Sequence, residues 1–175
     1  MSIRPLGPPD ADHLGAFFAT LSERDLTLIR EELSDPRTVE DLIRGGSSWV
    51  AVDESAHITG YVGVARLPGW SDHVGELRLV VGPSHRGQGL GRSLAQHALT
   101  RSLARGISKV VIELAVDQEG AASMFANLGF TGEALLQGHI RDRDGRLHDV
   151  IVLAHHAHDT WSAIDAVGIA DALQP

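Results

Sequence analysis

Residues 77–92 read Leu-Arg-Leu-Val-Val-Gly-Pro-Ser-His-Arg-Gly-Gln-Gly-Leu-Gly-Arg, a β-rich run that passes through a Gly-rich turn into helical spacing. No other segment restricts the fold as strongly. Leu90, Leu94 and Ala98, with Ala95, Leu99 and Leu103 beside them, recur at three- and four-residue steps until Gly106, which predicts a helix that starts at the turn. The first N–H groups of a helix have no internal acceptor and the helix dipole adds positive potential, so this turn favours an anion. Its glycines permit φ > 0 and a close approach to the backbone. Lys109 to Val116, the next β-rich run, then becomes a parallel partner of the strand ending at Val81, through a right-handed crossover.

The remaining pattern fills in an α+β domain. Ile3 to Leu6 reads as a short strand, and Pro8-Pro9 breaks the chain before Asp10, an N-cap for a helix through Leu14, Phe17, Phe18 and Leu21. A second helical stretch covers about Ser22 to Leu33, stops near Asp35-Pro36, and resumes as Thr38 to Arg44. Ser48 to Val52, His57 to Leu67 and Val74 to Val81 form an antiparallel meander. After the parallel strand come a short helix from Gln118 to Leu128 and two strands, Phe130 to Ile140 and Arg146 to Leu153. These two flank the polar turn Arg141-Asp142-Arg143-Asp144-Gly145. Residues 1–154 thus make one domain, and 155–175 a C-terminal helical extension whose Trp161, Ile164, Val167, Gly168 and Ala172 form a stripe that packs on the domain or a partner.

A chain of 175 residues with 43% hydrophobic and 22% charged residues is sized for one buried core. No run approaches the ~20 apolar residues of a membrane span, and the first residues lack a secretory signal. Cysteine is absent, which removes disulfides and a cysteine nucleophile and makes the cytoplasm the expected location. A net charge of -8 argues against a broad nucleic-acid surface. A small anion held by a few arginines and backbone N–H groups remains compatible with that charge.

Two phosphate-binding patterns are excluded. The Walker pattern ends in Gly-Lys-Ser/Thr, where this chain has Gly89-Leu90-Gly91-Arg92. The dinucleotide fingerprint, Gly-x-Gly-x-x-Gly, fails because Gly87 and Gly89 are followed by Arg92 in the third position. The match is Arg/Gln-x-x-Gly-x-Gly, at Arg86, Gly89 and Gly91. With Val80-Val81 before it and Phe125-Ala126-Asn127-Leu128-Gly129-Phe130 after the next strand, the chain resembles the GNAT superfamily of N-acetyltransferases over nearly its whole length.

That resemblance implies a mixed, mostly antiparallel sheet with a central splayed parallel pair and helices on both faces. It also implies acetyl-CoA as cosubstrate, with its pyrophosphate at Arg86, Gly87, Gln88, Gly89, Leu90, Gly91 and Arg92, its pantetheine paired with the backbone of Leu79, Val80 and Val81, and Phe125 beside it. The Val81 N–H becomes the donor to the thioester oxygen, where one preorganised hydrogen bond is worth ~3 kcal/mol. The attacking amine must be neutral although alkylamines have pKa values near ~10, so a base is needed. Glu76, on the fourth strand, is the first candidate, and a solvated or paired strand-edge Glu76–Arg78 couple is the bland alternative. Glu113, Asp117, His73 and His139 are weaker candidates. Where the family often carries a tyrosine acid this chain has Phe125, and Glu119 stands where its helix asparagine would be. Ser123 or water is left to protonate a thiolate of pKa ~8.5, and Tyr61, the chain's one tyrosine, has no position fixed by sequence. His155, His156 and His158 read as a polar cap, so no metal is expected, and His148-Asp149 reads as a pocket wall. The expected partners are acetyl-CoA and an amine acceptor, with a homodimer left open and neither nucleic acid nor a membrane. A fold that binds acyl-CoA but has lost turnover is the alternative.

Overall fold

The computed structural model describes residues 1–27 and 35–157. In chain order these form β1 (Ser2–Pro5), α1 (Ala11–Phe18), α2 (Glu23–Thr27), α3 (Pro36–Arg44), β2 (Ser48–Val52), β3 (Ile58–Arg66), β4 (Val74–Val81), α4 (Leu90–Leu103), β5 (Lys109–Ala115), α5 (Glu119–Ala126), β6 (Thr131–Arg141) and β7 (Leu147–His156). The strands make a single sheet in the order β1-β2-β3-β4-β5-β7-β6. Every neighbouring pair is antiparallel except β4–β5, which is parallel. The antiparallel β2–β3–β4 meander, the parallel β4–β5 pair and the β6–β7 hairpin are those expected from the sequence, and the placement of β7 between β5 and β6 is added by the structure.

Strand alternation divides the core between the two faces. Val62, Val64, Leu77, Val110, Ile112 and Leu114 face α4 and α5, against Leu90, Leu94, Ala98 and Phe125. Val50, Tyr61 and Val80 face the other way, against Leu14, Phe17 and Phe18 of α1 and Val39 of α3. Gly60 sets the closeness of α4, because a Cβ there would lie 2.8 Å from Leu94 Cδ1 and 3.3 Å from the Val80 carbonyl oxygen.

Several boundaries move for local reasons. Asp10 precedes α1 without capping it through its side chain. Its side chain, 6% exposed, instead grips Arg4 through two bonds of 2.6 and 2.7 Å and accepts the Gly7 N–H at 3.0 Å. α1 ends at Phe18, so Leu21 lies beyond it. The Asp35-Pro36 break is the start of α3: Asp35 accepts the Arg37 N–H at 2.9 Å, and proline at the first helical position lacks only a donor the helix cannot use. β7 runs on through His156 because Val110 and Lys109 continue to pair with His155 and His156. The proposed tail therefore begins later than residue 155, and its part from 158 onward, like residues 28–34 of the second helical stretch, lies outside the described residues.

Candidate functional site

The parallel ladder between β4 and β5 is short. It joins Val74, Gly75 and Glu76 to Lys109, Val110 and Val111, while β4 continues to Val81 and β5 to Ala115. β4 stays paired with β3 through Val81 and β5 with β7 through Ala115, so the two strands diverge and leave facing edges open. Antiparallel pairing directs alternate residues' N–H and C=O groups to the same neighbour. Leu67 N–H donates to Val74 O and Gly82 N–H to Thr59 O, both at 2.9 Å. In that register Glu76, Arg78 and Val80 bond to β3, whereas Leu77, Leu79 and Val81 present their backbone groups to the gap. Of the three backbone positions expected to meet pantetheine, Leu79 and Val81 face the gap and Val80 does not.

The Gly-rich turn closes the open end of the gap. Gly87 and Gly89 have φ of 72° and 82°, left-handed values that disfavour any residue with a Cβ. Gly89 precedes α4 with no side-chain cap, and the first backbone bond of the helix runs from the Ser93 N–H to Gly89 O at 3.1 Å. The N–H groups of Leu90, Gly91 and Arg92 are thereby left without intrahelical acceptors at the positive end of a 14-residue helix. Arg92 borders the gap and makes no ion pair among the described residues. Arg86 is engaged differently: its Nε–H donates to Val81 O at 3.0 Å and its Nη2 meets Asp25 Oδ1 at 2.8 Å.

Together these parts border a cleft of ≈ 960 Å³ that runs from the turn, past Leu79 and Val81, to Ile112, Leu114, Ser123 and Met124. On the α1–α3 face it includes Glu76 and Arg78, whose carboxylate and guanidinium lie 3.2 Å apart with side chains 17% and 22% exposed. The pair alternative is thus realised, on a central strand rather than a solvated edge. Glu113 is on the same face of β5, since Ile112 and Leu114 point to the other core. Ser22, Arg24 and Asp25 of the α2 segment also line the cleft. The Ser22 hydroxyl and N–H donate to Asp25 Oδ2 at 2.7 and 3.1 Å, and the Asp25 N–H returns a bond to Ser22 Oγ at 3.2 Å, a capping box. Burial pushes the Asp25 carboxyl up, but the donors from Ser22 and Arg86 outweigh it and hold it below the usual carboxylate range.

Of the residues expected at the donor site, Leu79, Val80, Val81, Arg86, Gly87, Gly89, Gly91 and Arg92 border the cleft together with Glu76, while Gln88, Leu90 and Phe125 do not. Gln88 turns back to Ser84 O at 3.1 Å, and Leu90 packs in the core. Phe125 is 1% exposed with its ring edge-on to Phe130 at 5.1 Å. Glu113, Asp117, Glu119 and Ser123 line the cleft, and His73 and His139 do not. Tyr61 is in the other core, bonded to Ser48 Oγ at 3.0 Å. His148 meets Asp142 at 2.8 Å while Asp149 accepts the Gly138 N–H at 2.7 Å, so the two neighbours are not a dyad. His155 is buried beside Phe130, and His156 meets Glu133. The cluster's third member, His158, lies outside the described residues. The pairing of Arg24 with Asp117 and of Asp25 with Arg86 has no signal in the sequence, whereas the Ser22-x-x-Asp25 spacing is itself a capping signal.

A parallel pair splayed beside a Gly-rich helix start, inside an otherwise antiparallel sheet, defines the class as an acyl-CoA N-acyltransferase fold. The model of the acetyltransferase (GNAT) family matches residues 15–130, and the chain belongs to that family. It is 32% identical over 98 residues to N-acetyltransferase 8 of Rattus norvegicus, across 53% of this chain and 44% of that protein. The chain spans about half the length of such relatives. Among solved structures, the ribosomal-protein-alanine N-acetyltransferase of Brucella melitensis superposes with a TM-score of 0.79 at 19% identity, over 89% of this chain and 99% of that one. An acetyltransferase of Salmonella typhimurium solved with its cofactor acetyl-CoA gives 0.75 at 18%, over 90% and 94%.

Proposed function

We propose that this protein transfers the acetyl group of acetyl-CoA directly to a primary amine. The observation that carries the reading is the outward-facing backbone of Leu79 and Val81, in line with the unsatisfied N–H groups at the start of α4. A pantetheine arm has amide donors and acceptors at strand-like spacing and pairs with such an edge. The diphosphate then reaches the N–H groups of Gly87 to Arg92 and the Arg92 guanidinium. The Salmonella typhimurium neighbour that carries acetyl-CoA supports the same donor.

In this reading the thioester carbonyl sits against the Val81 N–H, and the acceptor enters from the α1–α3 face, where Glu76 takes a proton from the ammonium directly or through water. The neutral amine forms the C–N bond, charge collects on the carbonyl oxygen under the Val81 N–H, and the C–S bond breaks. The amide keeps the carbon, the thiolate takes the electron pair, and the amine's remaining surplus proton passes to solvent, to which Glu76 also returns the first. Ser123 or water supplies the proton that makes free CoA. Buried Phe125 has no hydroxyl for that step, which favours a slow enzyme or, as the second reading, a module that binds acyl-CoA without turnover.

A panel of amines incubated with acetyl-CoA, with release of free thiol followed, tests the proposal. Expected are turnover with at least one amine and a loss of roughly 10²–10⁴-fold in kcat for Glu76→Gln, with acetyl-CoA affinity kept. Tight binding with no acceptor in the panel would favour the module, and no binding would remove both readings.

A further inference from the structure

Three consecutive residues of α2 make three ion pairs to separate elements, and two of them, Arg24–Asp117 and Asp25–Arg86, join residues that line the cleft. Glu23 meets Arg143 at the β6–β7 turn at 2.9 Å, Arg24 meets Asp117 beyond β5 at 2.5 Å, and Asp25 meets Arg86 of the Gly-rich turn at 2.8 Å. The first two pairs are solvent-exposed, the kind that contributes little. The third differs. Asp25 has a side chain 16% exposed, its second oxygen is taken by the capping bonds from Ser22, and the Arg86 it holds also donates to the Val81 carbonyl.

We propose that Arg86 is a positioning residue rather than a ligand of the donor's diphosphate, and that Asp25 completes it by holding its guanidinium against the end of β4. Two of the donor directions of the guanidinium fork are committed to fixed acceptors, one of them an anion that would repel a phosphate. The brace fixes Val81, whose N–H points into the gap, and ties the turn to the α2 wall on the acceptor side. Charge for the diphosphate then comes from Arg92 and from backbone N–H groups. This rests on the acyl-CoA reading above.

The sign of one substitution separates the alternatives. If Asp25 were only a neighbouring anion, or if it withheld a phosphate ligand, Asp25→Asn would strengthen the binding of a polyanion. If it completes a brace, the same change weakens binding.

Calorimetric titration with acetyl-CoA and with S-acetylpantetheine, which lacks every phosphate, reads this directly. Asp25→Asn and Arg86→Ala are expected to weaken both ligands by a similar factor, roughly tenfold for a charge-assisted bond. Arg92→Ala is expected to weaken acetyl-CoA alone. Arg86→Lys keeps the charge but cannot make both bonds, and should behave like the alanine variant even if Asp25→Asn folds poorly. Tighter acetyl-CoA binding by Asp25→Asn, or an Arg86→Ala loss confined to the phosphate-bearing ligand, or full affinity in Arg86→Lys, would overturn the inference. A wild-type protein that binds neither ligand would overturn the acyl-CoA reading, and this one with it.

Discussion

Replacing Gly89 by alanine separates backbone conformation from space at the heart of the Gly-rich turn. Gly89 has φ 82° and ψ -3°, and a Cβ built there meets no atom within 4 Å. The penalty is therefore conformational, about 1–2 kcal/mol for a residue with a Cβ held in the left-handed region. The smaller entropy of an unfolded alanine chain returns about 0.4–1 kcal/mol, leaving a net loss near ~1 kcal/mol. With ~2.1 cal/mol/K of unfolding entropy per residue, a chain of 175 residues should lose about 3 °C in Tm by scanning calorimetry. Gly15→Ala, in the middle of α1 and equally without a neighbour within 4 Å, is the counterpart. There the helix favours alanine by up to ~1 kcal/mol, and Tm should rise. Acetyl-CoA affinity should fall in the Gly89 variant alone, because a turn that relaxes from the left-handed region redirects the N–H groups after it. Gly89→Asn, which tolerates that region better, should lie between glycine and alanine in Tm. Equal Tm values for Gly89→Ala and wild type, or an asparagine variant less stable than the alanine one, would refute the conformational account.

Two further substitutions test other parts of the molecule. Phe125→Tyr places a hydroxyl in a site 1% exposed against Phe130; it should cost about 1–3 kcal/mol and leave turnover unchanged, whereas a tenfold gain in kcat at unchanged Tm would put the ring at the thiolate after all. His97 packs edge-on to Trp49 with its Nε2 buried and without a hydrogen-bond partner among the described residues, and burial, then Arg101, push its pKa down. The unfolded chain therefore takes up the proton first, and stability should fall as pH drops below ~6.5. Denaturant titrations from pH 7.5 to 5 should show a shallower decline in His97→Leu, and identical slopes would remove His97 as the cause. At lower pH the depressed carboxyls of Asp10 and Asp25 take over: their stabilisation is present above their ordinary value of ~3.9 and is lost as pH falls through the folded one.

The elements easiest to read were those whose local chemistry and tertiary context agree. Val74 to Val81, the turn and the helix from Leu90 emerged with matching boundaries because periodicity, glycine placement and burial all point the same way there. Asp10 misled because its carboxylate is claimed by Arg4, a contact across the β1–α1 connection that no local capping rule weighs. The extension of β7 past Leu153 depends on β5 offering Val110 and Lys109 as partners, a long-range fact with no local signature. Within the site, the turn and Glu76 were legible as types at fixed spacings. The commitment of Arg86 to Asp25 was not, since residues far apart in sequence meet only when α2 packs beside the Gly-rich turn. Phe125 was legible as a departure from the family pattern, but its burial against Phe130 emerges only from the packed core.

Amide hydrogen exchange, measured residue by residue with and without acetyl-CoA, tests the central claim most directly. Val80 is paired with β3 and should be protected in both states, whereas Leu79 and Val81, which face the gap, should exchange quickly alone and slow markedly when the donor pairs with them. Bound acetyl-CoA that left the Leu79 and Val81 amides as fast as before would contradict the placement of the donor in the splay.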